Sequence, residues 1–370
     1  MNKKMKVFSL GLGLIGFAII MAPQSAKAIQ GACVNCHTMH NMQGGALVDA
    51  GGPYNSLLNS PGDCVGCHTG TNGAATTTPF VLDTAGPPTA SSLAGGNFYW
   101  VDQIGGDNKG HNVVGISGQD AVITVNPLTP PGWNDGFNAN GQVAVLGATW
   151  GSQLTCAGTY GCHGLHTIAS DFPALSGAHH ANTAIDGSTP GKSFRFLQGI
   201  LGYEDPAWEF APTAAVHNQY QGFLRTGDLN NAAGKESINY FCAECHGNFH
   251  SGAGNLGASA VDTSIVTPWI RHPTDIDMNA RAGEYLAYGG AVAHAYVPLT
   301  PVASIVATAP LATVAGAGNA IVSCISCHRA HGSEFDDLLR WNYGNCSAGS
   351  NDVPPAECGC FECHTTKDAG

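Results

Sequence analysis

Charged residues and long apolar patterns are both scarce in this chain of 370 residues. Only 11% of the residues are Asp, Glu, Lys or Arg, whereas glycine occurs 50 times and proline 20 times. No stretch carries the sustained apolar periodicity of a long helix or strand, so an ordinary aliphatic core is not expected. Basic stripes are also absent, which argues against nucleic acid as a partner.

The first 28 residues have the three parts of a secretory signal peptide. A start with three lysines is followed by an apolar run over 7–22 and by the small-x-small triplet AKA, which ends at Ala28. We predict cleavage after Ala28 and export through the periplasm to the cell surface or the medium. No later segment approaches about 18 uninterrupted apolar residues, so no membrane span is predicted. Cleavage removes four lysines and no acids, which moves the net charge from −12 to −16.

Cysteine, in contrast, is abundant, with 14 copies. Disulfides would be the default in an exported chain, but five sites have the pattern Cys-x-x-Cys-His. They are Cys33, Cys36 and His37; Cys64, Cys67 and His68; Cys242, Cys245 and His246; Cys324, Cys327 and His328; and Cys360, Cys363 and His364. This pattern is the attachment signature of c-type haem, in which two thiols bind the porphyrin and the following imidazole binds iron as the proximal ligand. Zinc knuckles or redox dithiols would explain one such pair, but five copies followed by His favour haem.

The stretch TCAGTYGCHGLH, residues 155–166, is a longer version of the same pattern. Five residues separate Cys156 from Cys162, His163 follows directly, and His166 comes three residues later. We predict a sixth c-type haem here, with the longer loop bulging outward at its glycines. A Cys156–Cys162 disulfide and two free thiols are the alternatives that the sequence leaves open.

The last two cysteines, Cys346 and Cys358, have no His behind them and bracket a loop rich in Gly, Asn and Pro. A disulfide that closes this loop is the simplest prediction. Cys358 lies two residues before Cys360 and could compete as a haem anchor, although the regular pair of Cys360 and Cys363 is expected to win.

Ten histidines remain beyond the six proximal ones, which are His37, His68, His163, His246, His328 and His364. This surplus predicts two His ligands on every iron, an arrangement typical of electron transfer because a catalytic haem keeps one position open. The predicted distal ligands are His40, His111, His166, His180, His272 and His331. His40, His166 and His331 each follow a proximal His by three residues, on the same side of a helix, so each is expected to reach an adjacent haem. The remaining candidates are His179, His217, His250 and His294.

The spacers between the motifs are rich in turn-forming residues and predict a mostly irregular fold. We expect coil with short α-helices at the haem motifs and few short β-strands, arranged as a single multihaem cytochrome domain over 29–370 and built around a haem stack. The clearest helices are predicted at 193–200 and 334–341, and strands at 119–125 and 142–146.

Several stretches resemble the extracellular multihaem c-type cytochromes of metal-reducing bacteria, of the doubled CXXCH type. They are GACVNCHTMHNMQGG, KGHNV, GAHHAN, WIRHPTD, CISCHRAHGSEFDDLLRW and CFECHTTKD. Some members of that group, outer-membrane cytochromes of the S and E types, polymerise into filaments with a continuous haem chain. The resemblance implies bis-His haems in alternating parallel and T-shaped pairs, and a distal His donated by a neighbouring subunit. The long spacing at 156–162 departs from the pattern.

These observations predict a hexahaem electron-transfer protein with no catalytic residues. The expected partners are other redox proteins, extracellular acceptors such as metal oxides, and further copies of the chain in a filament. The alternative is a multihaem reductase of nitrogen or sulfur oxyanions, which needs one five-coordinate haem. A haem-storage or coat protein is a third possibility, but storage does not require links between haems.

Overall fold

The structure is a computed structural model that describes residues 32–48, 52–54, 57–59, 63–123, 126–135, 145, 147–181, 184–224, 234–250, 261–262, 269–270, 272–281, 283–285, 288, 294–349 and 357–366. The predicted signal segment 1–28 lies outside these ranges. So does most of the strand predicted at 142–146. No helix within the described ranges is long and apolar enough to cross a membrane.

Short α-helices punctuate a mostly irregular backbone. They are α1 (Val65–His68), α2 (Tyr99–Asp102), α3 (Asp171–Ala174), α4 (Ile238–Ala243), α5 (Gly247–His250), α6 (Cys324–Cys327) and α7 (Cys360–Cys363). Single 3-10 turns occur at Cys33–Asn35, Ala178–His180, Pro190–Lys192, Phe194–Phe196, Met278–Ala280, Gly283–Tyr285, Asp336–Leu338 and Tyr343–Asn345. Since α1, α4, α6 and α7 each contain motif cysteines, the predicted fold class is confirmed.

Within the described ranges the strands form five separate two-stranded ladders. The antiparallel pairs are β1 (Met42–Gln43) with β2 (Ala46–Leu47), β5 (Gly202–Tyr203) with β6 (Gln219–Tyr220), β7 (Val261–Asp262) with β8 (Trp269–Ile270), and β9 (His294–Ala295) with β10 (Thr313–Val314). One pair is parallel, β3 (Thr155–Ala157) with β4 (Gly161–His163). Parallel strands normally need a crossover of a dozen or more residues, so this pair is a local feature of the loop between Cys156 and Cys162.

Three of the predicted secondary-structure elements are wrong where the structure describes them. Residues 119–123 form no strand, and Val122 is exposed. The helices predicted at 193–200 and 334–341 are reduced to 3-10 turns, because Arg195 and Asp337 have left-handed φ values of 50° and 60°. The Arg195 and Asp337 carbonyls lie against the rings of His163 and His328, respectively. An apolar sequence pattern gives no sign of these backbone contacts.

Small apolar clusters replace one large core, and each of the four larger clusters packs against a motif cysteine. Cys162 contacts the cluster that contains Phe194 and Ile321, and Cys363 contacts the cluster around Tyr296. Two further clusters contact Cys156 and Cys245. The packing is therefore organised along the surfaces that carry the motifs.

Three backbone segments meet around His331 at a distance that only glycine permits. Gly332 pairs with both Gly96 and Gly110. A Cβ atom on Gly96 would lie 1.9 Å from the Gly332 carbonyl oxygen, and one on Gly110 would lie 2.4 Å from the His331 oxygen. The His331 N–H donates to the Gly95 carbonyl at 2.7 Å. This crossing therefore fixes the backbone that carries the His331 imidazole.

We expect Gly96→Ala to lower the free energy of unfolding by about 2–3 kcal/mol, since backbone must move to admit the new atom. Gly105→Ala is the matched control, because Gly105 also has a left-handed φ (74° against 84°), but a Cβ atom added there would meet nothing within 4 Å. Denaturant unfolding followed by circular dichroism measures both. Equal losses in the two variants would show that backbone strain, not the crossing, carries the effect.

Candidate haem-binding cavity

A single continuous cavity of about 2860 Å³ runs along the motif sites. Pockets for one small molecule usually occupy about 300–1,000 Å³, so this space is large enough for several ligands. Eleven of the twelve motif cysteines line it, all except Cys363. None of the twelve belongs to a disulfide, whereas the predicted Cys346–Cys358 disulfide is formed.

At the five regular sites the motif closes one helical turn. The N–H of each proximal His donates to the carbonyl of the first Cys, at 2.7 Å for His37, 3.0 Å for His68, His246 and His328, and 2.9 Å for His364. An i to i−4 bond of this kind encloses both cysteines in a single turn. Both thiols and the imidazole are therefore presented from one short element, as attachment of one porphyrin requires.

The sixth site reaches a similar result by a different backbone. β3 and β4 lie side by side, with Thr155 opposite Gly161 and Ala157 opposite His163, so Cys156 and Cys162 occupy adjacent positions. Gly158 turns the loop with a φ of 84°. Both thiols are free and line the cavity, so the alternative of a Cys156–Cys162 disulfide is not formed.

Five pairs of imidazoles face each other across the motif sites. They are His37 with His180 at 6.1 Å between ring centroids, His68 with His179 at 6.3 Å, His163 with His331 at 6.5 Å, His246 with His111 at 6.1 Å, and His364 with His272 at 6.2 Å. A metal–imidazole bond of about 2 Å on each side, with both ring radii added, gives a separation of about 6 Å. Each gap is therefore the width that one metal with two axial imidazoles needs.

Of the predicted distal ligands, His111, His180, His272 and His331 face a proximal His. His166 does not: its ring is buried, lies 6.4 Å from the Phe241 ring, and has its Nε2 3.4 Å from the Cys162 carbonyl oxygen. His179, which the sequence left among the remaining candidates, faces His68. The adjacent histidines at 179 and 180 were the sequence feature that could have indicated two ligands. Successive side chains on a 3-10 turn point in different directions, so each can face a different site.

A second feature marks seven of the histidines. The Nδ1 atoms of His40, His68, His111, His163, His246, His272 and His328 lie 2.5–2.9 Å from a backbone carbonyl oxygen. Metal-binding His residues typically donate the other ring N–H in this way, which orients the ring and leaves Nε2 for the metal. Five of the seven belong to facing pairs.

His328 and His40 carry this mark but face no second imidazole within the described ranges. The Nδ1 of His328 is 2.7 Å from the Asp337 oxygen, and that of His40 is 2.7 Å from the Tyr54 oxygen. His40 is exposed, three residues after His37, and has a left-handed φ of 59°. Both rings are therefore oriented as ligands, without a partner ring in the described part of the same chain.

Burial favours the neutral imidazoles that bind a metal. It lowers the pKa of His163 and His246 to about 4, and that of His331 to about 3. A protonated ring would have to lose a proton before binding. These three rings are therefore in the ligating form at neutral pH.

The fold brings motif sites that are distant in sequence next to one another. The Cys64 and Cys156 sulfur atoms lie within 4.8 Å of each other, and the interaction between the two thiols is the main cause that raises the pKa of Cys64. Cys242 likewise raises the pKa of Cys324. His180 and His179, adjacent in the chain, face the first and second sites respectively. The sites thus follow one another through the cavity.

The last three histidines have carboxylate, aromatic or backbone partners. His250 Nε2 lies 2.6 Å from a carboxylate oxygen of Asp275, and both side chains are buried. His217 stacks on Tyr296 at 3.5 Å, and its Nδ1 lies 3.2 Å from the Thr213 carbonyl oxygen. His294 Nε2 is 3.8 Å from Glu362.

Comparison with known proteins agrees with the motifs. The family described as the doubled CXXCH motif matches residues 317–369. C-type cytochrome OmcS of Geobacter sulfurreducens is 26% identical over 405 residues, which covers 92% of this chain and 86% of the relative.

Two solved structures from the same organism also align with the chain. The Outer Membrane Cytochrome S Filament aligns at 20% identity with a TM-score of 0.43, covering 88% of this chain and 86% of that one. The cryo-EM structure of the OmcS nanowires aligns at 20% identity with a TM-score of 0.42, covering 86% and 85%. By its motifs and by its likeness in sequence along nearly the whole chain, the protein is similar to multihaem c-type cytochromes of the OmcS type.

Proposed function

We propose that this chain binds six c-type haems with two axial histidines each and transfers electrons outside the cell. The observation that carries the proposal is the set of five facing imidazole pairs, at 6.1–6.5 Å between centroids. The donor set suits haem, because each pair lies at a motif whose two cysteines are outside any disulfide. Bound haem supplies one-electron iron chemistry, which the side chains alone do not have.

The proposed ligand set follows the pairs. The proximal residues His37, His68, His163, His246 and His364 take His180, His179, His331, His111 and His272 as their respective partners. This set replaces the predicted ligand His166 with His179. His331 follows His328 by three residues yet faces His163. One short segment would therefore orient two neighbouring haems, as expected for a histidine that reaches an adjacent haem.

The site of His328 is proposed to be completed by a second copy of the chain. His328 has an oriented ring but no facing imidazole in the described part of its own chain, and His40 is an exposed ring with the same orientation. A contact between different surfaces of identical chains is head-to-tail, and it produces a filament when it does not close into a ring. The similar protein OmcS forms filaments, which supports the same arrangement for this chain.

An electron carrier is favoured over a reductase for a specific reason. A reductase needs one iron with an open position. Only the site of His328 lacks a second imidazole within the described residues, and the exposed His40 offers one. The chain is therefore proposed not to be an enzyme, with extracellular acceptors such as metal oxides, or other redox proteins, as its electron partners.

The intact mass of the mature secreted protein tests this function. We expect six haem increments on the chain that begins at Ile29, with electron paramagnetic resonance showing only low-spin ferric haem in the assembled form. Five increments, with two hydrogens lost at Cys156 and Cys162, would make that site a disulfide. A high-spin signal in assembled filaments would contradict the proposal and favour the reductase.

A further inference from the structure

The Cys346–Cys358 disulfide lies directly beside the last motif site. The sulfur atoms of Cys346, Cys358 and Cys360 all lie within 4.8 Å of one another. Cys358 is fully buried and precedes Cys360 by two residues, and its carbonyl accepts the Phe361 N–H of α7. Attachment of the last haem needs Cys363 and one other cysteine. Three sulfur atoms lie close together at the position of that other cysteine.

Haem attachment distinguishes a thiol from a disulfide. A thioether forms when a cysteine S–H adds across a vinyl group: the sulfur bonds to one vinyl carbon, the proton goes to the other, and the π bond is lost. No oxidant or reductant is consumed. A sulfur atom in a disulfide has no S–H, so it cannot take part in this addition.

Spacing alone does not prevent Cys358 from serving as an anchor. Cys358 and Cys363 would form a motif with four residues between the cysteines. At the sixth site five residues separate Cys156 from Cys162, and both thiols still line the cavity. Something other than the length of the loop must therefore select Cys360.

We propose that the Cys346–Cys358 disulfide withholds Cys358 from haem attachment and thereby reserves the last haem for Cys360 and Cys363. This inference rests on the proposed haem site at 360–364. In addition to closing its loop, the disulfide determines that Cys360 and not Cys358 is attached to the haem.

The surroundings of Cys360 help to preserve this arrangement. Exchange of the disulfide would require attack by the Cys360 thiolate on a neighbouring sulfur. Burial raises the pKa of Cys360, which keeps the sulfur as a thiol. A thiol attacks a disulfide more weakly than a thiolate does.

Secreted variants with iodoacetamide-labelled thiols test the proposal. In Cys346→Ala, tandem mass spectrometry of the haem peptide should find two species, one labelled on Cys360 and the other on Cys358. In Cys360→Ala, the haem should have a single thioether and one free vinyl group, seen as a red shift of the pyridine haemochrome band. In the double variant Cys346→Ala with Cys360→Ala, Cys358 should form the second thioether. Its haem peptide should then contain no labelled thiol.

The double variant Cys346→Ala with Cys358→Ala is the matched control for loss of the disulfide. It should attach haem only through Cys360 and Cys363, with no labelled thiol in the haem peptide. Cys358 is a free thiol in Cys346→Ala and in Cys346→Ala with Cys360→Ala. If it is labelled in every molecule of both variants, the disulfide does not select the anchor, although the proposed haem site is unaffected. A wild-type peptide without haem would overturn both this inference and the proposed haem at 360–364.

Discussion

Replacing His331 with methionine is expected to change the haem held by Cys156 and Cys162, and to leave the haem of Cys324 and Cys327 unchanged. The His331 ring faces His163 at 6.5 Å, although it lies only three residues from His328 in sequence. Methionine in place of an axial His raises the reduction potential. Since axial ligands set haem potentials over about 0.8 V, we expect one haem to rise by on the order of 0.1 V.

Spectroelectrochemistry measures this shift, and a second variant assigns it. In a chain that also carries Cys156→Ala and Cys162→Ala, the shifted haem should be missing from the titration. His166→Met is the matched control, because His166 also follows a proximal His by three residues but faces no proximal imidazole among the described residues. If the shifted potential persists without Cys156 and Cys162, His331 binds the haem of Cys324 and Cys327. That result would refute the proposal that His331 reaches the neighbouring haem.

Replacing His40 with alanine is expected to abolish filaments and to leave one haem of each chain without its sixth ligand. His40 is exposed, with its Nδ1 2.7 Å from the Tyr54 oxygen, so its Nε2 is available to a neighbouring molecule. His328 is the proximal ligand that lacks a facing imidazole in the described part of the chain. Loss of His40 should therefore remove both the contact between subunits and the ligand in a single step.

Electron microscopy and electron paramagnetic resonance together measure this effect. We expect no filaments and a high-spin signal from one haem per chain. Added imidazole should restore the low-spin signal without restoring filaments. His294→Ala is the control, because the His294 ring is partly exposed but lies against Glu362. Filaments formed normally by His40→Ala would exclude this ligand as the link between subunits.

The local backbone at each motif could be predicted from the sequence. The five Cys-x-x-Cys-His sites each close one turn, because the spacing of two cysteines followed by His matches an i to i−4 hydrogen bond. The pairing of Cys346 with Cys358 was also predictable, since these were the two cysteines without a following His. The helices predicted at 193–200 and 334–341 failed, because Arg195 and Asp337 are left-handed and direct their carbonyls to His163 and His328.

The sequence by itself predicted the Cys346–Cys358 disulfide and, for want of apolar periodicity, an irregular backbone, but it left the state of Cys156 and Cys162 open. Only the tertiary structure decided which imidazoles face each other. Facing imidazoles are separated by up to 168 residues, as His331 is from His163, and no local pattern encodes such a contact. His166 and His331 have the same local spacing, yet only His331 is held by the glycine crossing at Gly96, Gly110 and Gly332, where close approach of three backbones aims the ring across the cavity.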